Sequence, residues 1–321
     1  MTSRETELAG ITGVPPRSRN VASPTESRND RTLDIDVLPT LALLERLNDE
    51  DATVAAAVRR ALPDLARVVD AADQVLHAGG RVHYYGAGTS GRLAVLDAAE
   101  LGPTFDLAAG VVIAHIAGGE PALTQAVESA EDDEASGARD AAGVTATDVV
   151  IGLSASGSAP YVGGALRRAG RAGAFTALFT ANPDAPLAPQ ADVVVCADTG
   201  PEAITGSTRL KAGTAEKLLL NSFSTALMVR DGRTYSNLMV RLTPMNAKLR
   251  ARQVRLLRQA SGAAEADCAA ALSAARGDVR VALIALLSGA DTATSRRALA
   301  QADGTVRAAI DRARGLSDGA R

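Results

Sequence analysis

The chain has 321 residues, of which 46% are apolar but only 2% aromatic, with no tryptophan and a formal net charge of −3. That is length for one large core or two modest ones, packed from Ala, Val and Leu rather than from rings. The slightly acidic balance excludes a general affinity for nucleic acid or anionic membrane, and no apolar run approaches the length of a membrane span. Cys196 lies in an apolar run and Cys268 in an alanine-rich stretch. Two such cysteines read as small buried residues of a reducing compartment, not as a disulfide. The opening MTSRETELAG lacks a basic region followed by an apolar one, so a cytoplasmic protein is expected.

Residues 1–33 are rich in Ser, Thr, Pro, Arg and acidic side chains without periodicity. They read as a tail, or as an arm lying on another surface. Helical spacing begins near Asp36, with Leu38, Leu41, Leu44 and Leu47 as an apolar stripe. Asn48-Asp49-Glu50-Asp51 then offers caps for a second helix from about Ala52, which Pro63 should break or kink and Gly79-Gly80 should end.

Five apolar runs follow: Arg81–Tyr85, Val111–Ile116, Asp148–Leu153, Ala174–Phe179 and Val193–Ala197. Between them lie helix-length segments at Gly91–Leu101, Pro121–Ala130 extending through Glu134, and Ala159–Arg171. This alternation predicts an α/β fold, a mainly parallel sheet with helices on both faces. In such sheets ligands bind beyond the carboxyl ends of the strands. A long helix is expected from Ser207, capped by Ser207 or Thr208, to about Arg230, where Asp231-Gly232 ends it. The remainder is helical in pattern, so three parts are expected: the arm to 33, an α/β domain over 34–243, and a small C-terminal helical bundle over 244–321.

Two loops at the carboxyl edge draw attention. Gly86-Ala87-Gly88-Thr89-Ser90-Gly91 follows the first strand and opens a helix, and Ser154-Ala155-Ser156-Gly157-Ser158 follows the third. Free N–H groups, the helix dipole and several hydroxyls make each an anion site. One such loop is an ordinary connector; two in one parallel-sheet pattern point to a phosphosugar. Neither has the spacing of a P-loop or of G-x-G-x-x-G. Glu100 closes the helix after the first loop, a poor place for an anion and a suitable one for a proton donor, although a solvated helix-end charge is the plainer reading. Glu131 stands in the acidic run Glu128–Glu134, which by itself reads as a wet helix face. His77, His83 and His115 lack ligand spacing and are read as structural.

At this point the chain resembles the N-acetylmuramic acid 6-phosphate etherases of the sugar isomerase (SIS) domain superfamily. The blocks that carry the likeness are Thr25–Asn29 with Ile35-Asp36, NDEDATV from Asn48, GAGTSGRLAVLDAAE from Gly86 to Glu100, AGGEPALTQAVESAEDD from Ala117, GPEAITGSTRLKAGTAEK from Gly200, and NLMV at Asn237–Val240 with Asn246–Leu249. The fifth is similar to a signature shared with glucokinase regulatory proteins. The resemblance implies an SIS-type three-layer αβα sandwich and cleavage of the lactyl ether of N-acetylmuramic acid 6-phosphate to N-acetylglucosamine 6-phosphate and D-lactate. It implies no metal and no organic cofactor. Carried over, it makes Glu100 the proton donor and Glu131 the second acid–base group, the C2 base. The two loops, with the start of the helix in the fifth block, make Gly88, Thr89, Ser90, Ser154, Ser156, Gly157, Ser158, Ser207, Thr208 and Lys211 the expected substrate and phosphate contacts.

A helix from Ser90 to Glu100 separates its ends by ~15 Å, so a sugar phosphate held at one end is expected to meet Glu100 of another subunit across the interface of a homodimer. Three departures from the family pattern stand out. The second loop lacks an arginine and a threonine common there, Arg241 stands where aspartate is common, and Glu216 where glutamine is common. A non-catalytic sugar-phosphate sensor and an aldose–ketose isomerase remain as alternatives.

Overall fold

The computed structural model describes residues 23–241 and 247–318. Its central sheet is formed by β1 (Val82–Gly86), β2 (Val112–Ile116), β3 (Val149–Leu153), β4 (Phe175–Thr180) and β5 (Val193–Cys196). The order is β2-β1-β3-β4-β5 and every pairing is parallel. All five residues of β1 and of β3 are buried, as continuous apolar strands must be when helices cover both faces. Because successive side chains alternate in direction, Tyr84 joins one core and Tyr85 the other. Tyr84, Ile151 and Phe179 pack with α2 (Val54–His77), α3 (Gly88–Phe105) and α6 (Lys211–Arg230). Tyr85, Val150 and Leu178 pack with α5 (Pro160–Arg171) and the segment around α4 (Glu134–Asp140).

The C-terminal part has its own apolar cluster, with Leu257, Cys268, Val281, Ile284 and Ala309 at its centre. It is built from α7 (Ala247–Ser261), α8 (Glu265–Ala274), α9 (Val279–Ser288), α10 (Thr292–Ala300) and α11 (Val306–Asp318). The hairpin of β6 (Thr234–Tyr235) and β7 (Leu238–Met239) contributes Tyr235, Leu238 and Val240 to the same cluster. Both cysteines are free. No helix among the described residues is long and apolar enough to cross a membrane.

Several sequence expectations are corrected. The helix foreseen over Pro121–Glu134 is absent: a single 3-10 turn, Glu120–Leu123, is followed by turns until α4 begins at Glu134. Ser129 has a positive φ of 59°, which no continuing helix tolerates, and Asp133 accepts from Ser136 N–H to start α4 afresh. Pro63 does not break α2, which runs unbroken past it. Eight buried apolar residues spread along α2, from Val54 to Ala72 and including Val58, Ala61, Leu65 and Val68, outweigh one missing backbone donor. The stripe on α1 (Thr40–Asp51) is not a core face, since Leu41 and Leu44 are 69% and 57% exposed. Finally, α3 passes Glu100 and ends at Phe105, whose side chain is buried beside that of Leu101. Glu100 therefore lies outside the last turn, where the helix dipole acts.

Candidate functional site

The two glycine–serine loops leave neighbouring strands at the same level, because Gly86 of β1 pairs with Leu153 of β3. From there α3 crosses one face of the sheet and α5 the other. This is the topological switch point of a 2-1-3-4-5 sheet, where a crevice opens between diverging connections. The first loop is drawn tight against the strand. A Cβ at Gly91 would lie 2.5 Å from Ile116 Cγ1 and 2.8 Å from the Gly86 carbonyl oxygen. The second loop is held from β4: Thr180 Oγ1 donates to the Ala155 carbonyl at 3.1 Å and Asn182 Nδ2 to that of Ser156 at 2.9 Å. Gly157 sits at φ +66°, and a Cβ there would fall 2.3 Å from Ala185 Cβ. Ser156 and Ser158 share a hydrogen bond of 2.7 Å, and Ser154 Oγ accepts from Ala159 N–H at 3.5 Å.

A third element reaches the crevice, the start of α6. It begins at Lys211, and neither Ser207 nor Thr208 caps it, contrary to expectation. Both lie half-buried in the preceding turn. The cap is Glu202, fully buried, which accepts from Lys211 N–H and Ala212 N–H at 2.9 Å each. Sequence spacing gave no sign of Glu202, because a carboxylate nine residues ahead of a helix reaches it only through the fold of the intervening turn. Gly213 of α6 lies against both the Thr208 carbonyl and the Thr89 methyl, its Cβ direction 3.2 and 3.5 Å from them. One turn on, Ser90 Oγ donates to Glu216 Oε2 at 2.8 Å. Burial raises the Glu216 carboxyl to about 7 against the pull of that one hydrogen bond.

Lys211 points elsewhere. Its side chain is 2% exposed and its Nζ sits 2.8 Å from Glu50 Oε2, on α1. Glu50 also accepts from Asn29 at 2.7 Å and pairs with Arg31 at 2.7 Å. The segment from Ser23 to Thr32 is thereby pinned to the approach to α6, with Thr32 donating to the Ala203 carbonyl and Gly206 N–H to that of Thr25, both at 2.9 Å.

The two catalytic candidates are placed differently. The Glu131 carbonyl accepts from Tyr161 N–H at 3.0 Å, which seats the residue on the first turn of α5, next to the second loop. Its side chain retains surface exposure, yet protein crowds it closely enough that burial, helped by the Asp132 charge, raises its carboxyl. Glu100 is exposed on α3, ~15 Å along the helix from Ser90. One chain thus gathers Gly88, Thr89 and Ser90 with Ser154–Ser158, Thr208 and Glu131, and leaves Glu100 and Lys211 apart. His83 Nδ1 and His115 Nε2 lie 3.2 Å apart, and the His115 ring stacks on Tyr85 at 4.3 Å. Burial lowers both imidazoles, that of His115 to about 4.

Residues 64–169 match the glucokinase regulatory protein N-terminal SIS domain, and residues 123–225 the SIS domain. The chain is 58% identical over 267 residues to an N-acetylmuramic acid 6-phosphate etherase of Thermobifida fusca, covering 83% of this chain and 88% of that one. With the etherase of Erwinia tasmaniensis it is 50% identical over 265 residues, covering 82% and 87%. A phosphoheptose isomerase structure from Francisella tularensis aligns at 18% identity and a TM-score of 0.45, over 59% of this chain and 98% of that one. The identity to the two etherases, sustained over most of both chains, shows that this chain belongs to the N-acetylmuramic acid 6-phosphate etherase family.

Proposed function

We propose that this chain cleaves the D-lactyl ether of N-acetylmuramic acid 6-phosphate, giving N-acetylglucosamine 6-phosphate and D-lactate, in the recycling of cell-wall amino sugars in the cytoplasm. The observation that carries this reading is the placement of Glu131, its carboxyl raised by its surroundings, against the hydroxyl-lined start of α5, whose loop leaves the strand next to the one that feeds α3. The phosphate is bound by the N–H groups and hydroxyls of Gly88, Thr89 and Ser90 and of Ser154, Ser156, Gly157 and Ser158, with Ser207 and Thr208 closing the crevice. Lys211 serves this site indirectly, by holding the start of α6 against Glu50.

In the open-chain sugar the aldehyde acidifies the C2 proton. Glu131 takes that proton, the C3–O bond breaks, and lactate leaves carrying a proton from Glu100. Water then adds its oxygen at C3 while a proton returns to C2. A base works best when its affinity for the proton is near that required at the working pH, which the raised Glu131 carboxyl favours.

Glu100 reaches this chemistry from a second copy. The ~15 Å between it and its own loop argues for that, and so does Leu96, 53% exposed one turn before Glu100 on the same helix face. The reading is a homodimer with shared sites. Glu100→Gln and Glu131→Gln should each lower lactate release by about 10²–10⁴-fold. Mixing Glu100→Gln with a Ser90→Ala/Ser156→Ala variant, with subunit exchange demonstrated, should restore part of the activity. Sugar-phosphate binding without lactate release by the unaltered protein would support a sensor instead, and ketose formation an isomerase.

A further inference from the structure

Glu216 is the buried carboxyl that lies closest to the proposed phosphate loops and that no step above uses. Its residue is 7% exposed, its Oε1 has no partner among the described residues, and its Oε2 meets only the Ser90 hydroxyl, at 2.8 Å. With Ala155 of the second loop, Phe179, Thr180 and Ala181 at the end of β4, Ala197 after β5, and Ala212, Ala215 and Leu219 of α6, it lines a cavity of 10 Å³. That is on the order of the space one water needs, and its walls are mostly methyl groups. The groups facing Glu216 from α3, the second loop, β4 and the residues after β5 carry no charge, and only burial and Ser90 act on its proton affinity.

A hydroxyl has one proton to give. Ser90 spends it on Glu216 whenever Glu216 is a carboxylate, an acceptor only. A protonated Glu216 can donate instead, turning Ser90 Oγ into the acceptor and freeing the Ser90 proton for an oxygen of the phosphate at the α3 N-terminus. The carboxylate form also sets a buried negative charge one side chain away from a bound dianion. We propose that Glu216 is a positioning residue that switches the polarity of the Ser90 hydroxyl, so that the protein binds sugar phosphate tightly when Glu216 holds a proton and weakly when it does not. The inference rests on the reading of Ser90 as a phosphate ligand. The proton comes from solvent and no bond of the substrate changes. A carboxyl raised to about 7 places the switch within the physiological range.

The test compares the unaltered protein with Glu216→Gln, measuring KM and kcat for lactate release and calorimetric affinity for N-acetylglucosamine 6-phosphate from pH 5.5 to 8.5. The glutamine amide donates to Ser90 Oγ at every pH. The unaltered protein should lose about tenfold in affinity across this range, seen as a rise in KM, whereas Glu216→Gln should hold its affinity within about twofold. Both figures are taken after dividing out the ionisation of the substrate's own phosphate, which is common to the two proteins. Equal slopes in the two proteins, or a slope carried by kcat alone, would overturn the proposal while leaving the etherase reading intact. If Glu216→Gln fails to fold, Ser90→Ala replaces it: its affinity should be weak and flat with pH, and a retained slope counts against the proposal. Unaltered protein that binds no sugar phosphate and releases no lactate would remove the etherase reading itself.

Discussion

Two glutamates, one on α1 and one on α6, both have little exposed surface and respond in opposite ways. Glu50 is 1% exposed and Glu216 is 7% exposed. Around Glu50, burial pushes the carboxyl up, but hydrogen bonds from Lys211, Arg31 and Asn29 overcome that push and hold it below its ordinary value. It lies shallowly, under an Arg31 side chain that is itself 60% exposed. Around Glu216 the sole partner among the described residues is a neutral hydroxyl, and the carboxyl rises to about 7. How deep a carboxyl lies and the number and sign of its partners together decide whether it keeps its charge. Glu50 is saturated and ties the N-terminal segment to α6. Glu216 is left short of partners at the edge of the phosphate loops.

The sharpest way to break this contrast is to remove the buried one of the two cations that pair with Glu50. Lys211→Met should cost about 3 kcal/mol in urea unfolding, because the Glu50 carboxylate then keeps the largely exposed Arg31 as its cation and loses the buried one. A loss below about 1 kcal/mol would mean that Arg31 and Asn29 alone suffice. The contribution of Glu50 is present above its unfolded value of 4.5 and disappears as pH falls through its lower folded value. Glu216 gives the opposite sign. Raised in the folded chain from 4.5 to about 7, it favours the fold at low pH and loses that favour as pH climbs between those values. Glu216→Gln should therefore be more stable than the unaltered protein by up to about 3 kcal/mol at pH 8, the difference shrinking toward pH 4.5. A pH-independent difference would show that the carboxyl titrates normally. The smallest effect belongs to Ser90→Ala, which removes the one partner Glu216 has among the described residues: about 1 kcal/mol of stability at pH 8, with the midpoint of the pH dependence displaced upward. A midpoint that stays in place would show that the hydroxyl does little for the carboxylate.

Much of the site was legible along the chain because its parts are local. A strand, a glycine turn and a helix start need only neighbouring residues, and both loops appear at the carboxyl edge where alternation of runs put them. Glu131 could be picked from its acidic run only by family resemblance. What separates it from Glu128 or Glu134 is the Tyr161 N–H bonded to its carbonyl, a contact 30 residues away in sequence. Lys211 shows the reverse. Within its motif it reads as an anion ligand, whereas the fold brings it to a carboxylate 161 residues earlier.

By itself, then, the sequence determined the parallel sheet, the two anion-binding loops and the family, since periodicity, glycine turns and long motifs are properties of adjacent residues. The helix imagined over 121–134, the cap made by Glu202, the commitment of Lys211 to Glu50 and the half-satisfied Glu216 were decided only by the tertiary structure. Each depends on which polar groups meet once water is excluded, and that pairing is set by how distant segments pack.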